Sequence, residues 1–400
     1  MFRVLKKDAG TRARIGVLWT PHGVVETPAY VLVGTHAKVR TLDAADLKKS
    51  GAQLIIANTY HLWQTLGEDG LKKFPGLHAV MGWDGPLATD SGGFQVFSFG
   101  AAREYRTGKV LNPHSPPSAQ QLHDRIDVDV TTGGQVKITD DGAVFTASGK
   151  RQWLDAEKSI RIQQQLGADI ILAFDEPTSP LHDYAYTKTA LGRTHAWAIR
   201  SLNAKTSDQL LYGIAQGGPF SDLRKTSAGF ISSLPFDGIA VGGSYGNSFG
   251  GTRAGTLKEL DWTVPYLPEG KPRHLLGIGL IDDIFAGVAA GMDTFDCVVP
   301  TREARHGSIW TRRGRVDITR GIYRDDKGIL DEECECAVCG GMRLEKGALH
   351  SLFKSKNMEA GRLATLHNVS FFNTLMAKIR RAIREGEFGE FRAGFLPDNG

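Results

Sequence analysis

Three of the four cysteines in this 400-residue chain lie within six positions, as Cys334, Cys336 and Cys339, and His367 follows about a helix further on. Three thiolates and one imidazole form a soft donor set that suits a tetrahedral divalent ion, zinc above all. The same thiols left free in a surface loop would be open to oxidation. Gly340 and Gly341 follow the third cysteine, where a tight ligand turn wants residues without side chains. Four protein ligands leave no open coordination position, so the expected ion is structural, one Zn2+ per chain.

A second set of residues has the chemistry to handle a flat heterocycle. Asp90, Asp175, Gln216, Gly242-Gly243 and Asp296 each stand at the end of a short apolar run. Carboxylate and amide groups can pair with the donor and acceptor edges of a base, and glycine lets backbone N–H and C=O come close. Two of the carboxylates could serve as nucleophile and general acid/base at a glycosidic carbon. A single buried aspartate is more often a satisfied structural group. Several at equivalent strand ends weaken that reading.

The elements that must carry these residues are nearly continuous apolar runs at 28–34, 53–59, 86–92, 169–175, 210–217, 236–243, 274–279 and 294–300. Such runs fit strands buried on both faces. Helical patterns lie between several of them, at 156–166 behind Asp155 as a cap, at 183–202 and at 281–290. Eight strands alternating with helices predict an α/β chain folded as a (β/α)8 TIM barrel, with an open doubly wound sheet as the alternative. In a barrel the five sites above converge on one rim, at the carboxyl ends of the strands.

The expected division is a barrel core over 1–300 and a last barrel segment with an inserted zinc-binding subdomain and a C-terminal helix over 301–400. The stretch 103–150 breaks the barrel rhythm and reads as an enlarged loop after the third strand. Residues 370–385 read as a basic amphipathic helix facing a polyanionic partner or solvent. The glycine-rich tail from Gly386 is expected to fray.

Composition bounds the function only loosely. At 41% hydrophobic and 23% charged the chain can bury a full core. A net charge of +4 and a pI near 8.7 permit a polyanionic partner without requiring one. No apolar run is long enough to span a bilayer, and the first residues have no export-signal core. With metal-type cysteines, this predicts a reducing, cytoplasmic location.

Five motifs in order carry a resemblance. Asn58-Thr-Tyr-His-Leu62, Asp90-Ser-Gly-Gly-Phe-Gln95, Phe174-Asp-Glu176, Gly213-Ile-Ala-Gln-Gly-Gly218 and Phe295-Asp-Cys-Val-Val-Pro-Thr-Arg302, followed by the cysteine set and Leu366-His-Asn368, resemble the signature of the tRNA-guanine transglycosylases, bacterial type. The similarity runs from the first strand to the C-terminal helix, except at 103–150. It implies a zinc-containing (β/α)8 barrel that exchanges guanine at the anticodon wobble position for a 7-deazaguanine, through a covalent aspartyl-ribose intermediate.

By position, the resemblance makes Asp296 the nucleophile at C1′ and Asp90 the general acid/base. It gives Ser91, Gly92, Gly93, Asp175, Gln216, Gly242 and Gly243 to binding of the base, with Phe94 stacking on its face. It gives Gly277, Asp282, Asp283, Thr301, Arg302 and Arg305 to RNA contact, and Cys334, Cys336, Cys339 and His367 to the metal. The implied partners are the tRNA anticodon loop, a 7-deazaguanine base and a second copy of the chain in a homodimer.

Three segments depart from the usual pattern, the longer 103–150 loop and two others. Pro177 stands where bacterial members have cysteine, and Gly242-Gly-Ser-Tyr-Gly-Asn-Ser248 lacks the glutamate that helps the family accept an aminomethyl group. The first expectation for the incoming base is 7-aminomethyl-7-deazaguanine, and queuine is the alternative. A non-catalytic tRNA-binding partner subunit is a further reading. Retention of both Asp90 and Asp296 argues against it.

Overall fold

In the computed structural model, which describes residues 1–97, 136–147, 150–179, 182–243 and 253–395, the eight apolar runs each contribute one strand to a closed parallel barrel. Ahead of the barrel, β1 (Phe2–Lys7), β2 (Arg14–Thr20) and β3 (Gly23–Thr27) form an antiparallel sheet. The first three barrel strands are β4 (Ala29–Val33), β5 (Leu54–Ala57) and β6 (Leu87–Thr89).

A second antiparallel sheet follows, made of β7 (Val136–Thr139), β8 (Gly142–Ala147) and β9 (Lys150–Leu154). Asp140 and Asp141 form the two-residue turn between β7 and β8 ahead of Gly142. The end of the predicted 103–150 loop is therefore regular sheet. The rest of that loop lies outside the described residues.

The remaining barrel strands are β10 (Ile170–Leu172), β11 (Leu210–Ala215), β12 (Gly238–Val241), β13 (Arg273–Leu275) and β14 (Thr294–Cys297). Around the barrel the order is β10-β11-β12-β13-β14-β4-β5-β6, and Ile170 pairs with Ala88 of β6 to close the ring. The hairpin of β15 (Ser308–Thr311) and β16 (Gly314–Asp317) comes after it.

Sequence punctuation explains several boundaries. Asp155 caps the helix Ala156–Leu166 by accepting from the Lys158 N–H, and Gly167 ends it in the left-handed region. The helix Ile281–Ala290 ends the same way at Gly291. The eighth strand does not run on to Pro300 as its apolar character suggested. A helix, Val299–Arg305, begins instead, because Pro300 cannot donate to a strand ladder but fits a first helical turn.

The C-terminal expectations also need correction. Residues 370–385 are the second half of a 28-residue helix, Met358–Glu385, and its Arg380 is buried and donates to the Pro28 carbonyl at 2.8 Å. Gly386 ends that helix, but the tail does not fray there. A further helix, Phe388–Phe395, places the rings of Phe388, Phe391 and Phe395 within 5.5–6.3 Å of Phe285. Packing of three aromatic rings outweighs the local glycine content.

Contacts gather the chain into two compact units, one of Met1–Ala57, Leu77–Leu87 and Gly277–Gly400, the other of Asn58–Gly76 and Ala88–Leu276. The first buries Tyr30, Phe295 and Phe372 and holds a buried ion pair, Arg14 on Asp293, with Arg14 Nε 2.9 Å from the carboxylate. The second buries Phe174, Trp197 and Phe236. No described helix is long and apolar enough to cross a membrane.

Candidate active site and metal centre

Four of the predicted site positions meet in the second unit, at the ends of β6, β10, β11 and β12. Asp90 follows β6 directly. Its carboxylate accepts from the Asn58 side-chain amide on one oxygen and from the Thr59 N–H, at 2.8 Å, on the other. Both donors sit at the start of the helix Thr59–Lys72, where Asn58 is also the cap, accepting from the His61 N–H. The first free N–H groups of a helix are natural partners for a carboxylate.

The turn after Asp90 depends on glycine. Gly92 has φ +76°, and its N–H returns to Asp90 Oδ1 at 3.2 Å. A Cβ on Gly93 would lie 2.8 Å from the Asp175 carbonyl. Ser91 turns inward and donates to Asp175 Oδ1 at 3.1 Å, while the Ser91 carbonyl accepts from Ser159 Oγ at 2.6 Å. Phe94 is 43% exposed.

Asp175, three residues past β10, is 5% exposed. Gln216 Nε2, just past β11, donates to its other oxygen at 2.7 Å. Burial pushes the Asp175 carboxyl up to about 6, against the pull of the Gln216 and Ser91 donors. A Cβ at Gly242 would overlap the Gln216 amide, so glycine at 242 leaves that amide its place on Asp175. Behind this cluster Glu176 is fully enclosed. It accepts from Arg193 Nε at 2.6 Å and from the Tyr186 hydroxyl at 2.8 Å.

In the first unit, Asp296 is the third residue of β14 and is half-buried. Its Oδ1 accepts from the Gly277 N–H at 2.9 Å, and Gly277 is exposed with φ +73°. Beside it, the Tyr30 hydroxyl donates to the Cys297 carbonyl at 3.2 Å. Burial, then the charge of Cys297 and Asp296, pushes the Tyr30 phenol well above its ordinary value.

Asp282 and Asp283 occupy the first turn of the helix Ile281–Ala290, where negative charge is favoured. Thr301 is buried, with its hydroxyl on the Val298 carbonyl at 3.3 Å. Arg302 and Arg305 are half-buried. Burial and the like charges of Arg40 and Arg302 lower the Arg305 guanidinium below its ordinary value, as expected for cations gathered where an anion could bind.

The metal-type residues do converge. The Sγ atoms of Cys334, Cys336 and Cys339 and a nitrogen of His367 lie within 4.8 Å of one another. His367 Nδ1 is 3.8, 3.6 and 3.2 Å from the three sulfurs. Donors set tetrahedrally about 2.3 Å from a common centre stand about 3.8 Å apart, so these spacings fit an ion such as zinc. His367 Nε2 is 2.8 Å from the Trp310 carbonyl. With its proton there, Nδ1 keeps a lone pair for the ion, the usual outer-shell arrangement. Cys336 caps the π-helical turn Ala337–Gly341, and Cys339 stands inside it.

The sequence alone assigns no role to Asn58, Thr59 or Ser159. Asn58 stands inside a recognised motif, and its cap spacing to His61 is the available signal. Residues 244–248, part of the second departing segment, lie outside the described residues.

The family model described as Queuine tRNA-ribosyltransferase matches residues 8–116 and 118–399. A queuine tRNA-ribosyltransferase of Caldanaerobacter subterraneus subsp. tengcongensis is 41% identical over 399 residues, covering 99% of this chain and 96% of that protein. Another from a Roseiflexus species is 40% identical over 418 residues, covering 99% and 98%. A third, from Streptococcus mutans, is 39% identical over 403 residues, covering 100% and 96%.

Proposed function

Because the chain belongs to the queuine tRNA-ribosyltransferase family, we propose that it is a tRNA-guanine transglycosylase, a pentosyltransferase that replaces guanine at the wobble position of G-U-N anticodons with a 7-deazaguanine. The observation that carries this reading is the buried Asp175 carboxylate, held by Ser91 and Gln216 beside Gly242. A rigid wall of carboxylate, amide and bare backbone matches the polar edge of a guanine-like base.

In this reading Asp296 attacks C1′ of the target nucleotide, the bond to guanine breaks, and the ribose is held as an aspartyl ester. The Gly277 N–H orients that carboxylate. Asp90, aimed by Asn58 and Thr59, gives its proton to the ring nitrogen of the departing guanine and then takes the ring proton of the incoming base, whose nitrogen displaces Asp296 from C1′. Two displacements at one carbon retain configuration. One N-glycosidic bond replaces another, so no ATP is consumed.

Phe94 stacks on the base, and Gly243 offers backbone groups to it. Gly277, Asp282, Asp283, Thr301, Arg302 and Arg305 face the anticodon loop, from which the target base must be flipped out. Cys334, Cys336, Cys339 and His367 would hold a zinc ion, which supplies structural crosslinking alone. We assign the barrel core to 1–300 and the metal subdomain and C-terminal helices to 301–400. The family resemblance supports a cytoplasmic homodimer that inserts 7-aminomethyl-7-deazaguanine, with queuine salvage as the second reading in view of Pro177.

The test is base exchange. tRNA-Tyr carrying labelled guanine at the wobble position should release label on addition of guanine or 7-aminomethyl-7-deazaguanine. Release with queuine alone would assign the protein to salvage. No release with any base would sink the catalytic reading and favour a tRNA-binding subunit.

A further inference from the structure

We infer that Arg224 is a positioning residue that fixes the direction of the Gly242–Gly243 peptide and thereby sets the preference for a 6-oxo over a 6-amino purine. The inference rests on the base-binding role of Gln216 and Gly243 proposed above.

Arg224 lies in the helix Ser221–Ser233 and is 0% exposed, one of the largest fully buried side chains among the described residues. Its fork is divided three ways. Nε donates to the Gly218 carbonyl at 2.8 Å, Nη1 donates to the Gly242 carbonyl, and Nη2 donates to the buried carboxylate of Glu259. Gly218 follows β11 and Gly242 follows β12. One guanidinium therefore ties together the two strand ends that carry Gln216 and Gly243. Three residues on in the same helix, Ser227 Oγ accepts from the Gln216 N–H at 3.0 Å. Gly217 brings the chain onto the helix so closely that a Cβ there would lie 2.7 Å from the Arg224 backbone nitrogen.

The consequence follows from peptide geometry. In a planar trans peptide the C=O of one residue and the N–H of the next point in opposite directions. With the Gly242 carbonyl fastened to Arg224, the Gly243 N–H points away from the guanidinium, as a donor. With the Asp175 carboxylate accepting from the N1–H and 2-amino group of guanine, this N–H lies along the same edge, donates to the 6-oxo oxygen and is mismatched to a 6-amino group. Two adjacent glycines have almost no intrinsic preference against rotating this peptide, so an external anchor is required. Arg224 supplies the anchor through a charge-assisted bond. Glu259 supplies the countercharge that lets a guanidinium sit there without solvent.

The experiment compares the full-length protein with Arg224→Lys and with the double variant Arg224→Met/Glu259→Leu, which removes both charges and leaves neither buried alone. Equilibrium binding of guanine and of 2,6-diaminopurine is measured for each, along with KM for guanine and for tRNA where exchange occurs. Loss of one charge-assisted bond in a buried site predicts that guanine affinity falls about 10- to 100-fold in the double variant. Discrimination against 2,6-diaminopurine should fall with it, while KM for tRNA stays unchanged. Arg224→Lys keeps the charge without the fork and should show the same loss of discrimination.

Unchanged guanine affinity and discrimination in a folded double variant would overturn the inference. So would a fall in kcat with a parallel rise in both KM values and discrimination intact, the mark of a purely structural role. A wild type that binds guanine but exchanges none would refute the proposed function alone, since the binding comparison still decides the role of Arg224. Failure of wild type to bind guanine would overturn both.

Discussion

Asn58 holds Asp90 from the neighbouring barrel loop: the same side chain that caps the helix Thr59–Lys72 through its oxygen donates through its nitrogen to the Asp90 carboxylate. The catalytic candidate is thus oriented by a residue whose other task is local folding. Asn58→Ala removes both. The cap loss should cost about 1 kcal/mol of stability, visible as a small drop in Tm. Exchange should fall about 10- to 100-fold, as for loss of a hydrogen bond to a charged group. A wild-type rate in Asn58→Ala would show that Asp90 needs no such support.

Asp296→Asn should abolish exchange and leave the fold intact, because its half-buried position and its bond from Gly277 tolerate an isosteric amide. The direct readout is the covalent RNA–protein band on a denaturing gel, present for the wild type and absent for Asp296→Asn. Exchange retained in the variant would end the double-displacement mechanism.

Asp175 makes a prediction about pH. Its folded value, about 6, lies above the ordinary carboxylate value of 3.8. The folded state therefore binds the proton more tightly than the unfolded chain. The stability from this group is full below about pH 4 and is lost as pH rises through about 6. Relative to Asp175→Asn, wild type should lose on the order of 1–3 kcal/mol across that window. Denaturant melts of the two proteins at a series of pH values give the difference, and a flat difference would contradict the buried-carboxylate account.

The metal centre predicts about one zinc per chain by elemental analysis. Cys336→Ala should lose the metal and lower Tm substantially, since ion binding and local folding are linked. A folded, active preparation without metal would refute a structural ion at Cys334, Cys336, Cys339 and His367.

Where the sequence carries a strong period or a rigid donor set, the fold is legible. The helices at 156–166 and 281–290 are bounded by an aspartate cap or a left-handed glycine, and both are found at those residues. The cysteine set is readable because few arrangements other than metal binding bring three thiols so close. The strand ends are less clear. Residues such as Asp90 and Asp175 continue the apolar runs in sequence, but hydrogen bonds from Thr59, Ser91 and Gln216 draw them out of the ladder.

The helix Phe388–Phe395 escapes a sequence reading because its stabilising partner, Phe285, lies in a helix far earlier in the chain. The roles of Asn58 and Arg224 are hidden for the same reason: each acts on a carbonyl or carboxylate from another element, and no spacing within one segment reveals that.

The contact between Gly242 and Gln216 also constrains how this pocket can evolve. A side chain added at 242 would push the Gln216 amide away from Asp175. A library at 242 alone, selected for base binding, should therefore return little but glycine, whereas a paired library can reach new solutions, with a shorter residue at 216 admitting bulk at 242. A change at 242 is therefore expected to follow a shortening at 216, and not to precede it.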